Sequence, residues 1–130
     1  MKLPGLEDLF YENGVDFQLW AHEHSYERLW PVYNNTVMNG TMDPKNPYNN
    51  PNAPVHLTTG SSGCQERHDA FIGNPKSWSA FRNNDYGFSE MKIFNATHIH
   101  VQQFSVDKDM VIDDFWIVKN QPYPPYYRHA

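Results

Sequence analysis

The sequence predicts an α+β fold, with one amino-terminal helix and strand followed by a mainly antiparallel β meander. Three observations carry that prediction. Leu3, Leu6, Leu9 and Phe10 recur at helical spacing, and Asn13-Gly14 supplies the expected stop. Val15, Phe17 and Leu19 then alternate with Asp16, Gln18 and Trp20, which is a strand pattern. From Tyr86 onward, "YGFSEMKIF", "THIHVQQFSV" and "MVIDDFWIV" are three β-like runs, separated by the turn-forming Asn95-Ala96 and Asp107-Lys108-Asp109.

The strand over residues 15–20 reads as part of a sheet whose neighbours lie upstream, and its carboxyl end delivers two histidines, His22 and His24. Residues 31–54 are dominated by Pro, Asn, Gly and Tyr and read as a long surface loop. "PVHLTTGSSG" is a short strand entering a Gly/Ser turn. Residues 64–84 read as irregular, anchored by Trp78 and Phe81, and the tail from 119 to 130 reads as extended or flexible. No internal repeat is present.

At 130 residues the chain is one domain's worth. Apolar residues make up 39% and aromatics 15%, so the core must draw heavily on Phe, Tyr and Trp. The net charge of −5, with no basic stripe, argues against nucleic acid and anionic membrane surfaces as partners. No stretch approaches the roughly 20 apolar residues of a membrane-spanning helix. The amino terminus lacks the apolar run of a secretory signal and enters the helix directly, as if the chain began within a domain. Cys64 is the single cysteine, either an ordinary thiol or one half of a bridge to a chain segment elsewhere. N-x-Thr sequons stand at Asn34, Asn39 and Asn95; in a chain this rich in Asn they favour secretion only weakly.

"HEHSYER", residues 22–28, is the segment most suggestive of chemistry. A His-x-His pair at a strand end puts two imidazoles on the same side of the chain, because the side-chain period is two. Both can then serve one metal ion, or one each of two adjacent ions. Spacing alone also fits surface or packing histidines. His98 and His100 have the same spacing but fall within the meander, where alternating residues merely share a sheet face. His56, His68 and His129 are isolated, Asp113-Asp114 reads as a turn-facing or edge device, and "GSSG" lacks the Lys of a phosphate-cradling loop. Glu66 is a candidate contributor near the histidine pair.

The longer string, following the strand "VDFQLW" and its helix, resembles the last metal-binding motif of the purple acid phosphatases, Gly-His-x-His-x-Tyr-Glu-Arg. Ala21 stands in place of the Gly. "APVHLTTGSSGCQE" is similar to the family's Gly-rich segment, and "WSAFRNNDYGFSEMKIFNATHIHVQQFS" to its carboxyl-terminal β region, closest to the animal branch. The resemblance implies a carboxyl-terminal fragment of a four-layer αββα metallophosphoesterase sandwich. Residues 1–30 would then end the catalytic domain, 31–54 form a loop, 55–118 the carboxyl-terminal β region and 119–130 a tail.

It further implies that His22 and His24 are metal ligands, one to each ion of a binuclear centre in which iron is joined by Fe, Zn or Mn. Two cations about 4 Å apart can clamp a phosphate monoester and activate a water against it. Tyr26, Glu27 and Arg28 would support that loop and orient the imidazoles; the alternative is an ordinary solvated surface cluster. The family's other metal motifs, G-D-x-x-Y and G-N-H, are not found here: no Gly-Asp pair occurs, and Gly73-Asn74 is followed by Pro75. The expectation is therefore the carboxyl-terminal part of a secreted acid phosphatase, probed against a non-catalytic secreted β binding module with a vestigial metal motif.

Overall fold

The computed structural model describes residues 5–40 and 46–127. Its elements are helix α1 (Glu7–Glu12) and strands β1 (Phe17–Trp20), β2 (Tyr26–Leu29), β3 (Val32–Tyr33), β4 (Thr36–Val37), β5 (Val55–Thr59), β6 (Ser79–Asn83), β7 (Gly87–Asn95), β8 (His98–Ser105) and β9 (Met110–Val118). They form a four-stranded sheet in the order β1-β5-β2-β6, a β3-β4 hairpin and a three-stranded sheet in the order β7-β8-β9. Only the β1–β5 pairing is parallel; β2 runs antiparallel to both β5 and β6, and the predicted meander is antiparallel throughout.

Helix α1 stops where the sequence says it should. Gly14 adopts φ +66°, in the left-handed region that glycine enters without penalty, and a Cβ there would strike the Tyr127 ring. The apolar face expected on this helix is different in kind. Leu3 lies outside the described residues, no residue of α1 is buried, and Leu6 and Leu9 stay exposed. Polar and aromatic contacts hold the helix instead. Tyr11 stacks on Tyr33 with ring centroids 3.9 Å apart, the Tyr33 hydroxyl donates to Asp8, and Glu7 accepts from the Asn34 amide.

The core lies where the two larger sheets meet. Tyr26 from β2, Val55 and Leu57 from β5, Val101 from β8, and Phe115 and Ile117 from β9 close it, with Tyr48 supplied by the 31–54 segment. Strict alternation on β9 produces this: Asp113, Phe115 and Ile117 point in, Asp114 and Trp116 out. Each fully buried aliphatic or aromatic side chain contributes about 1.5–3 kcal/mol.

Three segments differ from their sequence reading, each because a distant partner orders it. Within 31–54, Tyr48 is 1% exposed and Ala53 fully buried, so the segment is not simply a surface loop. Tyr48 can be buried because its hydroxyl is satisfied on both sides, donating to the Leu29 carbonyl and accepting from Arg28. Within 64–84, residues 79–83 are strand β6, paired to β2, with Phe81 edge-on to Tyr26. Along the tail, Lys119 is buried with its ammonium 2.7 Å from Asp16, and the buried Tyr126 donates to the Val15 carbonyl. Residues 128–130 lie outside the described residues.

Candidate metal-binding loop

His22 and His24 do lie at the carboxyl end of β1, but not on a strand. They occupy the bend over residues 21–25 that joins β1 to β2. The pleat of a strand therefore does not place the two imidazoles, and the period-of-two expectation is corrected. His22 has φ +83°, a backbone state costly for a residue with a Cβ, on the order of 1 kcal/mol or more. Such strain persists only where the surroundings impose it.

Those surroundings come from the segment that follows β5. The Ser25 amide donates to Glu23 and the Gly60 amide donates to Ser25, closing the bend. Gly60 lies directly against the Glu23 carbonyl, where any Cβ would collide. Residues 66–69 brace the other flank. The His24 amide donates to the Asp69 carboxylate at 2.6 Å, and the Asp69 amide donates back to the His24 carbonyl. The His24 Nδ1 atom stands 3.9 Å from the Glu66 carboxylate, which is otherwise open to solvent. Glu66 thus lies beside His24. Nothing local in the sequence marks Asp69 or Gly60, whose partners are brought to them by the topology.

Tyr26, Glu27 and Arg28 are no solvated cluster. Tyr26 is fully buried and donates to Asp113 at 2.8 Å. Arg28 grips the same carboxylate with two bonds, Nε to Oδ2 at 2.7 Å and Nη2 to Oδ1 at 2.8 Å, while Nη1 donates to Tyr48. Its guanidinium also lies over the Tyr48 and Phe115 rings. Asp113 is accordingly the buried anchor of β2, not an edge device. Its neighbour Asp114 does face out and pairs with His100. Burial alone would lower the Arg28 pKa, and the bonds to Asp113 and Tyr48 more than reverse that. Burial pushes the Tyr26 hydroxyl far above its usual range and Tyr48 up to about 12. Glu27, on the opposite face of β2, accepts from Arg82 at 2.7 Å. The bonds of these three side chains run to β6, β9 and Tyr48, so they fix the strand that the histidine bend enters.

The other candidates are structural. His98 and His100 share the outer face of β8, and His100 stacks on Trp116. His56 accepts from the Trp20 indole, and burial lowers its pKa. His68 lies against the Tyr86 ring, and His129 is outside the described residues. Ser61 and Ser62 of "GSSG" both donate to the Gly87 carbonyl, pinning this turn to β7. Cys64 is a free, half-buried thiol pointing at the Glu66 carbonyl.

Two imidazoles on an accessible, braced bend suit a transition-metal ion. Among the described residues, however, no group of three or more His, Cys, Asp or Glu side chains converges as a metal site. His22 and His24 fit as part of a donor set and not as a whole one.

The sequence from 53 to 114 matches the family model for iron/zinc purple acid phosphatase-like protein C. Over 119 residues it is 57% identical to human acid phosphatase type 7, covering 91% of this chain and 27% of that protein. The chain belongs to the purple acid phosphatase family. Purple acid phosphatase 5 of Arabidopsis thaliana is 35% identical over 122 residues, covering 92% of this chain and 30% of the relative. In three dimensions the chain superimposes on a purple acid phosphatase isolated from yellow lupin (Lupinus luteus) seeds, with a TM-score of 0.76 and 27% identity, covering 89% of this chain and 20% of the lupin one. The two sheets are thus the carboxyl-terminal portion of a metallophosphoesterase fold, mainly antiparallel β with few helices. The chain spans 27% and 30% of the length of the human and Arabidopsis relatives.

Proposed function

We propose that this chain is the carboxyl-terminal part of an acid phosphatase that hydrolyses phosphate monoesters at a binuclear metal centre. His22 and His24 would hold one ion each, iron and a partner of iron, zinc or manganese, with the remaining ligands from other parts of the protein. When bound, such a pair of ions supplies Lewis acidity toward the phosphate and toward a water. The residues of this chain do the holding. Asp69 and Gly60 fix the bend, and Tyr26 and Arg28 lock β2 onto Asp113, so that the two imidazoles enter the site from a rigid support. The observation that carries this reading is the braced His-x-His bend at the carboxyl end of β1. The exposed asparagines Asn34, Asn39 and Asn95 of the three sequons support a secreted, glycosylated protein.

A polypeptide of residues 1–130 is expected to turn over no aryl phosphate above buffer with added iron, zinc or manganese. The full-length gene product is expected to be active, and to lose both activity and bound metal, measured by elemental analysis, on His22→Ala or His24→Ala. Metal-dependent turnover by 1–130 alone would overturn the fragment reading. Undiminished metal content in both alanine variants would overturn the ligand assignment and favour a binding module.

A further inference from the structure

The outer face of the three-stranded sheet carries exposed aromatic rings beside Asn95. The pairing of β7 with β8 is regular to Ile93↔Ile99 and then resumes at Asn95↔His98, so Phe94 is one extra residue on β7. A bulge of this kind turns two successive side chains to the same face. Contacts bear this out. The ring of Phe94 stacks on Trp116 at 5.3 Å, Trp116 stacks on His100 at 4.4 Å, and Asn95 Oδ1 lies 3.2 Å from Nδ1 of His98, which shares the outer face of β8 with His100. Phe94 is 58% exposed and Trp116 37% exposed.

The Asn95 side chain is itself preset. Its Oδ1 accepts from both the backbone amide and the hydroxyl of Thr97, at 2.9 and 2.8 Å, within the sequon Asn95-Ala96-Thr97. Its Nδ2, the atom to which an N-linked sugar attaches, donates to nothing among the described residues.

We infer that an N-linked glycan on Asn95 folds back onto the Phe94–Trp116 stack, its innermost N-acetylglucosamine covering these rings. Pyranose rings present a face of C–H groups, which pack against aromatic faces and remove apolar area from water. A sugar rooted on the same face, beside His98, needs no long reach to do so. The inference rests on the proposed secretion and glycosylation, and adds to it a docking surface on the protein.

The test uses the full-length gene product secreted from a glycosylating host. Peptide mass mapping reports occupancy of Asn95, and hydroxyl-radical footprinting reports the solvent access of Phe94 and Trp116. Three forms are compared: fully glycosylated, trimmed by an endoglycosidase to one N-acetylglucosamine, and Asn95→Gln. Labelling of Phe94 and Trp116 is expected to be several-fold slower in both sugar-bearing forms than in Asn95→Gln. Phe88, exposed near the other end of β7, should label equally in all three. Unmodified Asn95 in secreted protein would overturn the glycosylation and the docking with it. A modified Asn95 with Phe94 and Trp116 labelled as fast as in Asn95→Gln would overturn the docking alone; so would equal protection in all three forms, which would mean that another part of the protein covers the rings.

Discussion

Asp113 accepts hydrogen bonds from Tyr26 and from two nitrogens of Arg28, so a single carboxylate on β9 fastens the strand that starts two residues after His24. Both charged side chains are mostly buried, at 13% and 6% exposure. The pair survives burial because every donor aimed at Asp113 is matched and the guanidinium has Tyr48 as a further partner. Removing one side of such a pair strands the other in a poorly solvating interior. Asp113→Asn is expected to destabilise the protein by about 3–5 kcal/mol, read from urea unfolding. A loss below about 1 kcal/mol would place the anchoring of β2 elsewhere. Arg28→Lys should also be costly, because an ammonium cannot reproduce the two-pronged grip.

Among the elements, the meander and α1 stand at opposite ends of local stability. Strand β8 is paired along both edges and buries Val101, Gln103 and Ser105, whereas α1 buries nothing and is only six residues long. Amide hydrogen exchange on 1–130 should accordingly show α1 and β1 exchanging well before β8 and β9. Equal protection would mean that the amino-terminal elements are self-sufficient. The same contrast explains what the sequence made legible. Alternation and turn chemistry are local signals, so β7, β8, β9 and the stop at Gly14 could be read directly. The His-x-His pair was legible as a motif. Its supports were not: Asp69 and Asp113 lie 45 and 87 residues from the groups they hold, and nothing local marks them. Strand β6, buried Tyr48 and the packed tail escaped for the same reason, and their Pro- and Asn-rich settings imitated loop. The strand was placed correctly to its end at Trp20, but its side-chain period was carried one step too far, onto a pair that sits in the bend after it.

At the scale of the molecule, the four-stranded sheet has two edge strands among the described residues, β1 and β6, and β1 is the one that carries uncovered apolar side chains. Strand β1 pairs with β5 and, among the described residues, with no other strand. Leu19 and Trp20 at its end remain 51% and 40% exposed. For anyone handling residues 1–130 in a tube, that open rim has a practical result. A row of free amides and carbonyls beside apolar side chains is a template on which a second molecule can add its own strand. Purified 1–130 should therefore self-associate as its concentration rises, visible as growing weight-average mass in sedimentation, and Leu19→Lys should suppress this. A monodisperse monomer at every concentration would mean that the rim is capped from within. In the first case, storage life and yield of the isolated polypeptide are governed at β1, at the rim of the sheet and not in the core.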